Sequence, residues 1–486
     1  MKLFKSLEKS FSFWFLLVTS FLFFILRWPS LFEPYWYGDE GIYQAVGMLI
    51  NSGEQLYIGA WDNKPPLLYV LYAIFGSDQF ALRTLSLIFG LVSIWIFYFL
   101  AKKLFPKNKW AAVASTLFYA FFFGSRIIEG NIANAENFML LPIVASAYLI
   151  YSGEFIKKSL LFKNYFLAGV IISFAFLTKI VAVFDLLALS VFLLIDPEKD
   201  LKEKLKTKAL AFIIGFSLPV LIVTLYFLFT GNIKGYMDGS LFSNINYVGY
   251  GNKFIIPQGL LYIKTILLFA FIGFLYLRRK TIDRAAMFVL VWFAFSLFSA
   301  FFSQRPYTHY LLMLLPSISL LIGAIIELKR ERVFIITVFF VGYIIINNSF
   351  NFFDEKFLNY YSNLVSFCQN KKDVNSYQSF FDPITPRDYE LARYINMNTQ
   401  RDESIFIWGN NAQLYKLTNK TPLLRYTVAY HITGYPTGIE EMKNAIDKKK
   451  PELIIVMPNV GEFPYSLNNY QEKINIGGAI VYEKIF

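Results

Sequence analysis

The sequence predicts a polytopic α-helical membrane protein with a C-terminal α/β domain outside the membrane, and three observations lead there. Of 486 residues, 56% are hydrophobic, 19% aromatic and only 16% charged, far from a soluble average, and the mean hydropathy is +0.46. About eleven apolar segments are long enough, or nearly so, to span a bilayer core of roughly 30 Å. From about residue 350 the apolar runs stop and the composition becomes that of an ordinary globular domain.

The apolar segments run approximately over 11–31, 80–104, 110–124, 137–153, 164–178, 180–195, 208–230, 258–277, 283–303, 309–327 and 332–348. The first looks like a signal peptide, but it has no small-residue cleavage site and many spans follow it, so it reads as a retained helix. The least sharp boundary is at Thr178-Lys179. With Lys2, Lys5 and Lys9 in the cytoplasm, the inner loops are Lys102 to Lys109, Lys157 to Lys163, Lys199 to Lys208, Arg278 to Arg284 and Lys329 to Arg332. Roughly 22 Lys and Arg then lie inside against about 8 near the outer ends, a bias that sets orientation. An odd number of spans sends the C-terminus outside. The outer segments are then 32–79, 124–137, 231–257 and 303–309.

The net charge of +12 belongs to this topology, because the basic residues fall between apolar segments and form no stripe on a folded domain. No nucleic-acid partner is expected. The single Cys368 allows no internal disulfide and says little about compartment. The expected domains are 1–349, a membrane unit whose outer loop 32–79 carries the Asp-Glu element, and 350–486, outside the membrane. In the latter, a helix near Asp388 to Asn398, a strand at Ser404 to Trp408, a helix near Ile439 to Lys448 and a strand at Leu453 to Met457 alternate. That order fits a small α/β layer structure. Gly409-Asn410-Asn411 after the first strand is no dinucleotide fingerprint, so no cofactor is expected there.

The chemistry concentrates in the first outer loop. Gly38-Asp39-Glu40-Gly41-Ile42-Tyr43 is followed by Asp62-Asn63-Lys64-Pro65-Pro66-Leu67, and ionisable side chains where a membrane helix meets water mark a candidate site. Tyr43, Val46, Met48 and Leu49 give the first element the pattern of a surface helix. N-capping by Asp39 and dipole stabilisation by Glu40 explain the acids as well as catalysis does. Lys64 before two prolines could equally snorkel to headgroups at the start of a second helix. Taken together, the groups match the needs of transfer from a lipid phosphate: a carboxylate to take a hydroxyl proton, and cations where a phosphate departs. Asp39 and Glu40 supply carboxylates. Lys64, Arg83, Arg126, Lys179, Arg305 and His309 all fall at outer helix ends, where lone arginines more often anchor headgroups than hold ligands.

Glu129 and Glu136 lie in the second outer loop. Glu136 at the start of a span is explained by the helix dipole, and the other reading joins Glu129, Glu136 and Asp62 as an acceptor or metal site. Two histidines and no cysteine cluster rule against structural zinc and leave a carboxylate-bound divalent cation open. His431, near Tyr430, reads as an ordinary surface or packed histidine of the outer domain.

These elements resemble the C-type (GT-C) glycosyltransferases, in the bacterial branch similar to protein O-mannosyltransferases (glycosyltransferase family 39) and lipid A aminoarabinose transferases. The resemblance rests on Gly38-Asp39-Glu40-Gly41-Ile42-Tyr43 and Asn63-Lys64-Pro65-Pro66-Leu67, supported by Arg83, Glu129, Glu136, Leu177-Thr178-Lys179 and Arg305-Pro306-Tyr307-Thr308-His309-Tyr310. It implies a GT-C fold of about 11 to 13 transmembrane helices in a bacterial plasma membrane and a polyprenyl-phosphate sugar as donor. It further implies Asp39 as base for an acceptor hydroxyl on protein, lipid or glycan, with inversion at the anomeric carbon and Glu40 placing Asp39 or the acceptor. Lys64 would hold the donor phosphate, with Arg83, Lys179, Arg305 and His309 as lesser candidates. The non-enzymatic alternative is a transporter or flippase of lipid-linked glycans. Such a protein should place its key charges near the bilayer midplane, whereas these acids are interfacial.

Overall fold

The computed structural model describes residues 11–155, 157, 160–195, 208–305, 307–349 and 356–485. Lys2, Lys5, Lys9, parts of the 157–163 and 199–208 loops, Pro306 and the domain boundary at 350 lie outside the described residues. The chain divides into two compact units. The first holds residues 1–30, 83–226 and 242–358, and the second holds 31–82, 227–241 and 359–486.

Every apolar segment read from the sequence is helical. Among the described residues, eight helices are long and apolar enough to cross a membrane: Phe11–Phe32, Gln79–Leu104, Ala135–Ser152, Leu161–Thr178, Leu210–Phe229, Gly259–Arg278, Thr308–Glu327 and Arg332–Ser349. The remaining three segments are the shorter helices Lys109–Gly124, Ile180–Ile195 and Arg284–Ala300. The boundary at Thr178-Lys179 is real. Lys179 is extended, with φ −155° and ψ 129°, and a short 3-10 turn over Ile180–Ala182 opens the next helix.

In the first unit, Leu311–Glu327 packs against Lys109–Gly124, Arg284–Ala300, Ala135–Ser152 and Arg332–Ser349, which explains why most of its length is buried. Without water to drive helices together, close backbone approach carries much of the packing. Gly169 and Gly215 supply such an approach: a Cβ on either would run into the other helix's backbone. Leu210–Phe229 and Gly259–Arg278 instead expose Leu221, Ile222, Leu267 and Phe269. Apolar side chains displayed on a helix with all backbone bonds made internally are what a lipid environment selects. The protein is a multi-pass membrane protein.

The second unit contains a four-stranded sheet in the order β1-β2-β4-β3, with β1 Ile405–Trp408, β2 Leu453–Val456, β3 Tyr470–Ile476 and β4 Ala479–Lys484. β1 and β2 pair in parallel, Ile405 opposite Leu453, while β4 pairs antiparallel with both β2 and β3. Helices Thr385–Asn398 and Gly438–Lys449 bracket β1 in the chain, so the alternation read from sequence is present. Trp61 of the first loop is buried in the same apolar cluster as Phe406, Trp408 and Ile454. Its backbone N–H donates to the Arg425 carbonyl at 3.0 Å. The loop 31–82 also forms helices Gly38–Asn51 and Pro66–Ile74.

Candidate functional site

The second unit brings Asp39, Glu40, Asp62 and Lys64 together. Helix Gly38–Asn51 begins after Tyr37, which occupies the N-cap position with no side-chain hydrogen bond, and Asp39 and Glu40 both lie in the first turn. Asp39 is therefore not the N-cap, contrary to the structural explanation that its sequence allowed. Local geometry accounts for this: Tyr37 already has the extended φ of −85° and ψ of 117° that a cap requires. The helix dipole still favours both acids. Glu40 is buried, whereas Asp39 is half-exposed, with the Tyr43 hydroxyl 3.4 Å from its Oδ2.

Lys64 precedes the Pro66–Ile74 helix, which Pro65 caps with Pro66 in the first turn, as the prolines predict. Its backbone is clasped by two tyrosines: Tyr57 Oη donates to the Lys64 carbonyl at 2.6 Å, and the Lys64 N–H donates to Tyr69 Oη at 3.1 Å. The Lys64 ammonium lies 4.9 Å from the centre of the Tyr43 ring and 3.6 Å from Asp62 Oδ2. It is thus held beside the first-loop carboxylate and partly exposed. Asp62 is almost fully buried and accepts the Tyr69 hydroxyl at 2.6 Å. Burial works to raise its pKa, but the Lys64 charge and the tyrosine hydrogen bond hold it below the usual carboxylate value. Burial beside Asp62 raises the Tyr69 pKa well above the usual phenol value, so that hydroxyl remains a donor.

His431 joins this group. It is 6% exposed, with Nε2 3.6 Å from Asp62 Oδ1 and its ring edge-on to Trp61 at 4.9 Å. Burial pushes its pKa down to about 4, so the imidazole is neutral at neutral pH. Of the two readings, surface or packed, His431 takes the packed one, and the second unit places it against a first-loop carboxylate. Nothing near residue 431 in the sequence signals this.

The first unit gathers Glu129, Glu136, Lys179 and His309. Glu136 is fully buried at the start of Ala135–Ser152 and is paired with the Lys179 ammonium. His309 Nε2 is 3.9 Å from the same carboxylate, and its Nδ1 is 3.1 Å from Glu129 Oε2. Glu129 also accepts the Thr308 hydroxyl and sits at a left-handed φ of 58°. Such a conformation in a non-glycine residue is held only by its surroundings. The Lys179 ammonium further lies 4.7 Å from the Tyr310 ring centre. Thus the two acids expected at an acceptor or metal site and two cations expected on a donor phosphate answer one another. Among the described residues no group of three His, Cys, Asp or Glu side chains is placed to hold a metal ion.

Arg83 is fully buried and donates to the Ser30 carbonyl at 2.7 Å. Nearby Arg27, also fully buried, donates to the Gly130 carbonyl and to Ser86 Oγ. These arginines brace the end of the first helix, and Arg27 carried no signal in the sequence beyond its place at the end of an apolar run. Arg126 and Arg305 are half-buried, in the Arg126–Ile128 turn and just before the Thr308–Tyr310 turn.

A family profile described as dolichyl-phosphate-mannose-protein mannosyltransferase matches residues 64–237. No curated protein matches the chain in sequence. Among solved structures, ArnT from Cupriavidus metallidurans in the apo state aligns with a TM-score of 0.56 at 13% identity, covering 96% of each chain. The same protein bound to undecaprenyl phosphate aligns at 0.53 and 12% identity, again over 96% of each chain. The chain has the GT-C fold. The oligosaccharyltransferase AglB from Archaeoglobus fulgidus, in complex with an inhibitory peptide and a dolichol phosphate, aligns at 0.51 and 12% identity, covering 93% of this chain and 70% of that one. The likeness thus runs the length of the GT-C chain, through the C-terminal sheet as well as the apolar helices.

Proposed function

We propose that this GT-C protein is a membrane glycosyltransferase that moves a sugar from a polyprenyl phosphate to an acceptor hydroxyl on the outer face of a bacterial plasma membrane. The observation that carries the reading is the pairing of Asp39 and Lys64 about one tyrosine: Tyr43 places its hydroxyl 3.4 Å from the Asp39 carboxylate and its ring 4.9 Å from the Lys64 ammonium. A half-exposed carboxylate and a partly exposed, fixed ammonium meet the two demands of the reaction.

Asp39 takes the proton of the acceptor hydroxyl as its oxygen attacks the anomeric carbon. The bond from that carbon to the phosphate oxygen breaks, its electron pair leaves with polyprenyl phosphate, and Lys64 offsets the charge that develops there. A single displacement inverts the anomeric carbon. No acid is needed to protonate a phosphate leaving group, so one carboxylate suffices. The N-terminus lies in the cytoplasm and the C-terminal domain outside, following the Lys and Arg bias.

The deciding experiment is release of polyprenyl phosphate by purified wild type and Asp39→Asn, with a panel of polyprenyl-phosphate sugars and an envelope acceptor fraction of demonstrated competence. Release by wild type alone supports the reading, and the active donor names the sugar. Release by both removes Asp39 as the base. Release by neither turns the reading to a transporter of lipid-linked glycans.

A further inference from the structure

The segment 61–64 is held from the C-terminal part of the chain, within the second unit. Trp61 meets Tyr426, His431 and Tyr435 at ring-centre distances of 5.5, 4.9 and 4.5 Å, and its backbone N–H is tied to Arg425. The next residue, Asp62, is thereby delivered to His431. Its two oxygens then have different work: Oδ1 faces His431 Nε2 at 3.6 Å, while Oδ2 accepts the Tyr69 hydroxyl and lies 3.6 Å from Lys64 Nζ.

This division matters for a lysine that must bind phosphate. Charge-assisted N–H···O bonds settle at about 2.7–2.9 Å when nothing restrains them. A carboxylate free to turn toward Lys64 would close to that distance and occupy the donors that a phosphate needs. At 3.6 Å the pair keeps its charge balance, and the ammonium donates only a long bond to Asn63 Oδ1 at 3.4 Å, which leaves donors for a phosphate. Tyr69 restrains one oxygen and His431 stands against the other. The imidazole is buried and neutral, so it adds no competing positive charge, and the tautomer with its proton on Nε2 is the one that meets a carboxylate favourably. Its Nδ1 has no hydrogen-bond partner among the described residues, so beside the rings of Trp61 and Tyr430 its polar neighbour is Asp62.

We propose that His431 is a positioning residue of the donor-phosphate site: by holding Asp62 away from Lys64, it keeps the Lys64 ammonium open to a lipid phosphate, so the C-terminal domain completes the donor site. The inference rests on the reading of Lys64 as a phosphate ligand.

The test is binding of undecaprenyl phosphate, without sugar, to the purified full-length protein. Lys64→Ala and His431→Phe are each expected to weaken binding about tenfold, while His431→Gln, which keeps an N–H donor, stays within about threefold of wild type. His431→Phe preserves an aromatic ring against Trp61, so a role confined to packing predicts no loss. In an Asp62→Asn background the competing charge is gone, and adding His431→Phe should cost nothing further. With Lys64→Ala weakened, unchanged binding by His431→Phe overturns the proposal and leaves the Lys64 reading standing. An equal loss from His431→Phe in both backgrounds overturns it too, as a folding defect. If Lys64→Ala binds like wild type, the phosphate reading of Lys64 fails and this inference falls with it.

Discussion

The Glu129–Glu136–Lys179–His309 group and the Asp39–Asp62–Lys64–His431 group use the same residue types to opposite ends. In the first, both carboxylates are answered by a cation or a histidine. In the second, Asp62 and Lys64 balance each other, and Asp39 makes no ion pair among the described residues. A buried charge must be compensated or it destabilises the fold. An acid kept for chemistry must instead be left able to accept a proton. Under the proposed function the difference assigns the first group to scaffold and the second to reaction, although both look alike as a string of interfacial charges.

The largest effect should come from removing Asp39, the acid of this group that makes no ion pair among the described residues. Asp39→Asn is expected to lower turnover by about 10²–10⁴-fold, with thermal stability close to wild type, since its side chain caps nothing. Assay of sugar transfer beside a melting curve checks both halves, and a large stability loss would erase the contrast between the groups.

The balanced group should respond in stability. Lys179→Met leaves buried Glu136 with only the more distant His309 Nε2 at 3.9 Å, a change of up to about 3–5 kcal/mol for a buried pair. Adding Glu136→Gln should recover most of it. A thermodynamic cycle in detergent measures the coupling, and independent, additive losses would show that the pair is not the unit proposed.

Acid should act through the second group next. His431 has a pKa of about 4 against an ordinary 6.5. Between those values the unfolded chain binds a proton that the folded chain refuses. Its contribution is therefore complete above about pH 6.5 and is lost as pH falls toward 4, by an amount of the order of 3 kcal/mol. His431→Phe should flatten that part of the stability profile, and an unchanged slope would place the acid sensitivity elsewhere.

The smallest effect concerns how the reactive group is seated. Gly41 allows helix Gly38–Asn51 to approach Gln413 so closely that a Cβ would lie 2.7 Å from its backbone nitrogen. Gly41→Ala should cost about 1–3 kcal/mol by overpacking and should lower turnover at fixed donor concentration by shifting Asp39. Full activity in a destabilised variant would separate seating from chemistry.

The apolar segments, the strands at Ile405–Trp408 and Leu453–Val456 and the helices around them were all legible, because burial in lipid or in a small core imposes a pattern on adjacent residues. Asp39 and Lys64 were legible because they stand close together at an interface where charge is costly. For Arg83 the sequence showed its place at the start of a span but not that it is enclosed and bonded to the Ser30 carbonyl. His431 was invisible, since its partner Asp62 lies far away in the chain. Its one signal was rarity. The chain has two histidines, and both lie against carboxylates in these groups.

What the sequence by itself determined is the membrane class, the eleven helical segments and the residue types available for transfer from a lipid phosphate, because hydropathy and local spacing are properties of neighbouring residues. The tertiary structure alone decided which charges are compensated. Glu136 meets Lys179 and His309, and Asp62 meets His431, only once distant segments pack together. Compensation depends on distance in space and on the exclusion of water, neither of which is written in the order of the chain.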